Sequence, residues 1–96
     1  MENVVLLNEA DNVGNAIEDI KAGCEAAYLL AGKPCAVAAA EDIRFGFKIA
    51  LKKIPKDDDI IKYGEIIGLA DRDISPGELV HVHNIKGRRG RGDLVK

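Results

Sequence analysis

The stretch Gly77-Glu78-Leu79-Val80-His81-Val82-His83-Asn84 alternates apolar and polar residues with a period of two, the signature of a strand rather than a helix. Residues i and i+2 of a strand share a face. This reading therefore sends His81 and His83 out together, about 6.6 Å apart along the backbone, and turns Val80 and Val82 toward a core. The tight turn Asp73-Ile74-Ser75-Pro76-Gly77 precedes the stretch, and the basic run Gly87-Arg88-Arg89-Gly90-Arg91-Gly92-Asp93 follows it. Paired imidazoles beside an amide and a cationic tail point to a site for an anionic ligand or a metal.

Working outward, short apolar runs recur with turn signals between them. Val4-Val5-Leu6-Leu7 reads as a first strand. Residues 24–30 and 35–39 read as strands around the turn Ala31-Gly32-Lys33-Pro34, although Ala38-Ala39-Ala40 is equally compatible with a helix. Residues 48–54 alternate in part and stop at Pro55, residues 56–59 form a polar turn, and 60–64 and 65–70 give a further turn and strand. One segment has helical spacing: Asp11 as N-cap, then Val13, Ala16, Ile17 and Ile20, with Gly23 to close. The expected fold class is mainly β with one short helix, an α+β domain. No internal repeat is evident. The domain is expected to span 1–85, with 86–96 an extended basic tail ordered only against a partner or ligand.

Ninety-six residues make one small domain, which buries only about 60–65% of its unfolded surface. Aromatic residues are scarce (Tyr28, Phe45, Phe47, Tyr63, no Trp), so the core is aliphatic. The net charge of −2 hides an asymmetry: the last eleven residues hold five basic groups against one acid, net +4, and the rest carries −6. An acidic body with a cationic tail indicates an anionic partner. Cys24 and Cys35 match neither a zinc spacing nor a redox pair and are expected as buried free thiols in a cytoplasmic protein. No signal peptide and no apolar run of membrane-spanning length is expected.

Each candidate group has a functional and a structural reading. His81 and His83 suit metal ligation or proton transfer, or make a solvated strand face; a metal needs at least a third ligand, from a carboxylate or another chain. Asn84 either orients a ligand with both ends of its amide or turns the chain. Arg88, Arg89 and Arg91 can fork onto carboxylates or phosphates. Nucleic-acid binding through them ranks last, because the segment is short, lacks aromatics and hangs from an acidic body. Lys48 is a carboxylate-binding cation or a solvated strand edge. The Tyr63-Gly64 pair and Gly68 serve turns, and Asp57-Asp58-Asp59 is a solvated turn.

In order, Gly46-x-Lys48-Ile49-Ala50-Leu51, Ile61-x-Tyr63-Gly64-x-x-Ile67-Gly68-x-Ala70, Asp73-Ile74-x-x-Gly77-x-x-Val80-His81-Val82-His83-Asn84 and Arg89-Gly90-Arg91-Gly92-Asp93 resemble the SAF-type β-clip domain of the altronate and galactarate dehydratase family, over residues 11–93. The resemblance implies a β-clip fold, a large dehydratase subunit as partner, and a lyase reaction on a sugar acid or similar hydroxy acid. It also implies a divalent metal, iron or manganese. By matching position, His81, His83 and Lys48 are the catalytic candidates, with both histidines as metal ligands. Asn84, Arg89, Arg91 and Tyr63 are the substrate-binding candidates, and the chain is expected to be inactive alone and capable of homo-oligomerisation. One departure matters: the family often has His where this chain has Phe47, and a phenyl ring neither ligates a metal nor transfers a proton. A shifted substrate, a different acid or base, or a non-catalytic module binding a small anion follow as alternatives.

Overall fold

The computed structural model describes residues 2–87, so Arg88, Arg89 and Arg91 lie outside the described residues. The described chain is a set of nine short strands: β1 (Val4–Val5), β2 (Val13–Ala16), β3 (Glu25–Leu30), β4 (Lys33–Ala38), β5 (Lys48–Ala50), β6 (Asp59–Lys62), β7 (Glu65–Ala70), β8 (Leu79–Val80) and β9 (Ile85–Lys86). Three antiparallel sheets form, in the orders β1-β2-β5-β8, β3-β4 and β6-β7-β9. Among the described residues no helix is long and apolar enough to cross a membrane.

The mainly-β expectation agrees with this architecture; the short helix does not exist. Val13 and Ala16 lie on β2, the chain bends, Ile17 is left 47% exposed, and Ile20 bridges to Ile43. The spacing that looked helical is thus met by a strand followed by a corner. Gly14 disfavours a helix by about 1 kcal/mol relative to Ala and packs tightly in the sheet, where a Cβ would lie 2.5 Å from Val4 Cγ1. Asp11 caps no helix. It is buried, and its Oδ1 accepts a 2.7 Å hydrogen bond from Gly64 N.

A repeat that the sequence reading did not find organises the whole fold. The pattern Ala-x-x-x-Ile-x-x-(Gly/Asp) occurs four times, at Ala16-Ile20-Gly23, Ala39-Ile43-Gly46, Ala50-Ile54-Asp57 and Ala70-Ile74-Gly77. Each copy is a corner, and corners clasp in pairs. Ile20 bridges Ile43, and Ile54 bridges Ile74. Within each pair the last residue of one corner donates its N–H to the alanine carbonyl of the other: Gly23 to Ala39, Gly46 to Ala16, Asp57 to Ala70 and Gly77 to Ala50, all at 2.8 Å. That last residue has positive φ in every copy, between 73° and 91°, which explains glycine in three and aspartate, which tolerates the left-handed region, in the fourth.

Carboxylates reinforce the clasps. Asp19 Oδ1 accepts from Phe45 N, Asp42 Oδ1 from Ala22 N and Asp73 Oδ1 from Lys56 N, at 2.8–2.9 Å. The fourth equivalent pairs position 53 with position 76. Pro76 has no N–H to donate, and position 53 is a lysine rather than an aspartate.

Each clasp seeds its own core. Ala16, Ile20, Ala39 and Ile43 belong to a cluster with Val4, Ala26, Tyr28, Ile49 and Leu51; Ala50, Ile54, Ala70 and Ile74 belong to a second with Val13, Ile60 and Val80. The sheet β2-β5-β8 separates them, since its registers place Val13 opposite Ala50 on one face and Gly14 opposite Ile49 and Leu79 on the other. The β6-β7 hairpin is stitched to β2 by Asn12, whose Oδ1 accepts from Ile61 N and whose Nδ2 donates to Asp59 O. Its turn, Tyr63-Gly64, has positive φ at both residues (56° and 77°), the two-residue turn whose twist matches the strands. The cysteines are free, but Cys24 is exposed and Cys35 half-buried, not sealed in a core, because Cys24 precedes the two-stranded β3-β4 hairpin and Cys35 lies in β4, whose residues are exposed or half-buried.

Candidate functional site

Lys48 opens β5 opposite Asn15 of β2 and Val80 of β8. Directly paired residues of antiparallel strands project to one side, so Asn15 and Lys48 share a face. Asn15 Nδ2 donates to the Tyr63 hydroxyl at 3.1 Å, and Lys62 Nζ lies 4.9 Å from the Tyr63 ring centroid. Burial, and then the Lys62 ammonium, hold Lys48 below the usual lysine range. The other end of the Asn15 amide, Oδ1, is buried and lacks a hydrogen-bond partner, the one such side-chain atom among the described residues. A buried acceptor in that state costs about 1–3 kcal/mol. The group therefore offers cations and a phenol to an anion.

The histidines do not lie on one strand. β8 ends at Val80, and residues 81–84 form a turn. Asn84 sets that turn: its Oδ1 accepts from His81 N at 2.9 Å, its Nδ2 donates to Leu79 O at 2.8 Å, and its own N–H reaches His81 O. Asn84 is buried with both ends of its amide engaged by backbone. The alternation of Val80 and Val82 breaks there, so Val82 is 79% exposed instead of facing a core. His81 leans on Phe47, with ring centroids 4.8 Å apart and planes at 46°. Phe47 packs against the cluster that holds Ile49, across the sheet from the face of Lys48 and Asn15.

His83 is exposed on a different surface, a shallow cleft it shares with Glu41, Arg72, Asp73, Glu78 and Asn84. Arg72 Nη2 donates to the His83 carbonyl at 3.4 Å, and Glu41 Oε2 accepts from Leu79 N. Three carboxylates to one guanidinium make this cleft unwelcoming to a carboxylate ligand. Among the described residues no group of three or more His, Cys, Asp or Glu is placed to hold a metal, so these residues do not by themselves fit the iron or manganese that the resemblance implies.

Lys48 and Tyr63 are thus brought together, while His81, though at the same end of the sheet, starts on the other face and His83 lies apart. Arg89 and Arg91 fall outside the described residues. Sequence reasoning missed Asn15 and Lys62. The signals were an amide inside the strand Val13-Gly14-Asn15-Ala16 and a lysine directly before a two-residue hairpin turn. It also missed Asn12 and gave Asp11 a helix-capping role, whereas both hold that hairpin against β2.

The family model described as the altronate/galactarate dehydratase SAF domain matches residues 2–88. The altronate dehydratase of Bacillus subtilis (strain 168) is 41% identical over 86 residues, covering 90% of this chain and 16% of that enzyme. The altronate dehydratase of Escherichia coli (strain K12) is 35% identical over 82 residues, again 16% of its length. The chain thus spans about a sixth of these dehydratases. The (2R)-sulfolactate sulfo-lyase subunit alpha of Chromohalobacter salexigens is 30% identical over 90 residues, covering 88% of this chain and 94% of that subunit.

Proposed function

The chain belongs to the altronate/galactarate dehydratase SAF domain family, and from that premise we propose that it is the small component of a two-component lyase acting on a sugar acid or related hydroxy acid. The observation that supports this reading is the likeness to a lyase subunit alpha along 94% of that subunit's length. The structural support is one end of the central sheet, where β5 starts with Lys48 paired to Asn15 and to Val80, and β8 stops one residue before His81.

In this reading a larger partner closes over that end. Lys48, with Arg91, holds substrate carboxylate. A base supplied by the partner takes the proton α to the substrate carboxylate, and the β-substituent leaves, as water in a dehydration. His81 donates a proton to the leaving oxygen. In this reading the iron or manganese is supplied by the partner. The test is a dehydratase assay on aldonates, aldarates and sulfolactate, with iron or manganese, on the chain alone and mixed with a co-purifying larger subunit. Turnover is expected only in the mixture. His81→Ala is expected to lower it about 100-fold or more while the variant stays folded; near wild-type turnover would remove His81 from the chemistry.

Phe47 supports a second reading, a non-catalytic module that binds a small anion, because it fills with a phenyl ring the place beside His81. Anion binding by a stable complex without turnover would favour it, and Phe47→His would then be the variant to assay.

A further inference from the structure

Among the described residues, strand β4 pairs with β3 alone. Which of its backbone groups face β3 follows from what β3 does on its other side. Asn3 N donates to Ala27 O, Ala27 N to Asn3 Oδ1, and Asn3 Nδ2 to Glu25 O. Glu25 and Ala27 thus turn their backbone groups away from β4. Hydrogen-bonded pairs alternate along an antiparallel ladder, so Ala26, Tyr28 and Leu30 bond Val37, Cys35 and Lys33. Pro34, Ala36 and Ala38 therefore present their groups to the open edge, and Ala40 N, of the same parity, indeed donates outward to Gly77 O. Pro34 has no N–H to offer there. Gly77 covers the Ala38 carbonyl so closely that a Cβ would lie 2.1 Å from it. The open edge is left with the N–H groups of Ala36 and Ala38 as donors and the carbonyls of Pro34 and Ala36 as acceptors. None of these groups is bonded to another described residue.

We propose that this edge pairs with the β4 edge of a second copy of the chain, antiparallel about a twofold axis at Ala36. Each Ala36 then exchanges both its bonds with the other Ala36, and each Ala38 N–H donates to the opposite Pro34 carbonyl. The donor that proline lacks is the one that only the covered Ala38 carbonyl would have received, so no open group is left over. Neighbouring twofold registers do not close in this way. Centring on Cys35 sets the Ala36 carbonyl against Pro34, and centring on Val37 aims the Ala36 N–H at the covered carbonyl. The side chains agree with the register. Pro34, Ala36 and Ala38 are small and exposed, and no charged residue among them guards the edge. Cys35 and Val37, which pack against the first core, come opposite each other and set the two copies' cores edge to edge. Lys33, exposed and without an ion pair, falls opposite Ala39 of the other copy, two residues from the exposed Glu41, so each copy brings a cation toward the other's carboxylate. The inference is independent of the lyase reading, which concerns the sheet end at Lys48.

The test is sedimentation of the full-length chain over a range of concentrations, with amide exchange read on the same samples. The mass is expected to rise from 10.3 kDa to twice that value, and the Ala36 and Ala38 amides to gain protection over the same range. Ala36→Pro, which removes a donor that faces away from β3, is expected to weaken association about 10-fold or more. Lys33→Glu is expected to weaken it about 2- to 10-fold, and less at high salt. A monomer at every concentration would overturn the proposal. So would a dimer that forms without protecting Ala36 and Ala38, a result on the wild-type chain that needs no variant to fold. A chain that stays monomeric alone, with those amides protected only in a mixture with a larger subunit, would give the edge to that partner and overturn pairing between copies.

Discussion

Removing the Asn84 side chain strips the part-buried His81 N–H and the Leu79 carbonyl of their partners at once. Asn84→Ala is expected to destabilise the domain by about 2–3 kcal/mol, read as a lower urea midpoint at unchanged slope. A loss below about 0.5 kcal/mol would mean the turn stands without its clamp. At Tyr28, burial and secondarily the Cys35 thiolate push the hydroxyl above its ordinary 10.0. The fold favours the neutral phenol. Its contribution is therefore intact below pH 10.0 and is lost as pH rises through the raised folded value. Tyr28→Phe is expected to flatten the alkaline fall in Tm; superimposable Tm curves above that pH would assign the fall elsewhere. At this scale the sequence was legible in kind but not in placement. Lys48 and Tyr63 were found as candidates, and the chain-turning role of Asn84 was foreseen as one of two. The pairing of His81 with His83 was not real, because alternation alone does not reveal that an amide three residues on captures the backbone.

Corners are the elements on which this fold turns, and their aspartates follow a simple rule: a carboxylate stands wherever the clasped corner has an N–H to give. The rule is testable at its exception. Lys53→Asp alone places a carboxylate opposite Pro76 and is expected to gain nothing. Pro76→Ala restores the N–H. The double variant is expected to show a favourable coupling of about 0.5–1.5 kcal/mol in a double-mutant cycle, and a coupling near zero would reject the equivalence of the four corners. Strand positions were largely readable from the sequence, since Gly, Pro and Asp punctuate them. The helix was misread because Val13, Ala16, Ile17 and Ile20 satisfy both a helical spacing and a strand that ends in a corner. The repeat stayed hidden because its copies start at 16, 39, 50 and 70. Those intervals are irregular, since the hairpin β3-β4 sits inside one clasp and β6-β7 inside the other.

Over the whole molecule, two aliphatic cores share one sheet. Ile49 lies in the first and Ile60 in the second, both fully buried. Ile49→Ala and Ile60→Ala are each expected to cost about 2–5 kcal/mol, a large part of the stability of a domain this size. β2 and β5 contribute to both cores, so either loss is expected to lower one shared transition. Tyr28 fluorescence, in the first core, and amide exchange of β6, in the second, should report the same midpoint. Separate midpoints would show two independent folding units.

The clasps also carry a clock. Ile20 and Ile43 are separated by 23 residues and Ile54 and Ile74 by 20, so each clasp closes a short stretch of chain, and closure entropy grows only slowly with its length. The pairing of β5 with β8 and the docking of the β6-β7 hairpin on Asn12 reach further along the chain, 30 residues for Ile49 with Leu79 and 49 for Asn12 with Ile61. The order of events is then written into the corner spacing: two handshakes, each complete within its own half, and afterwards the meeting of the halves that assembles Asn15, Lys48 and Tyr63.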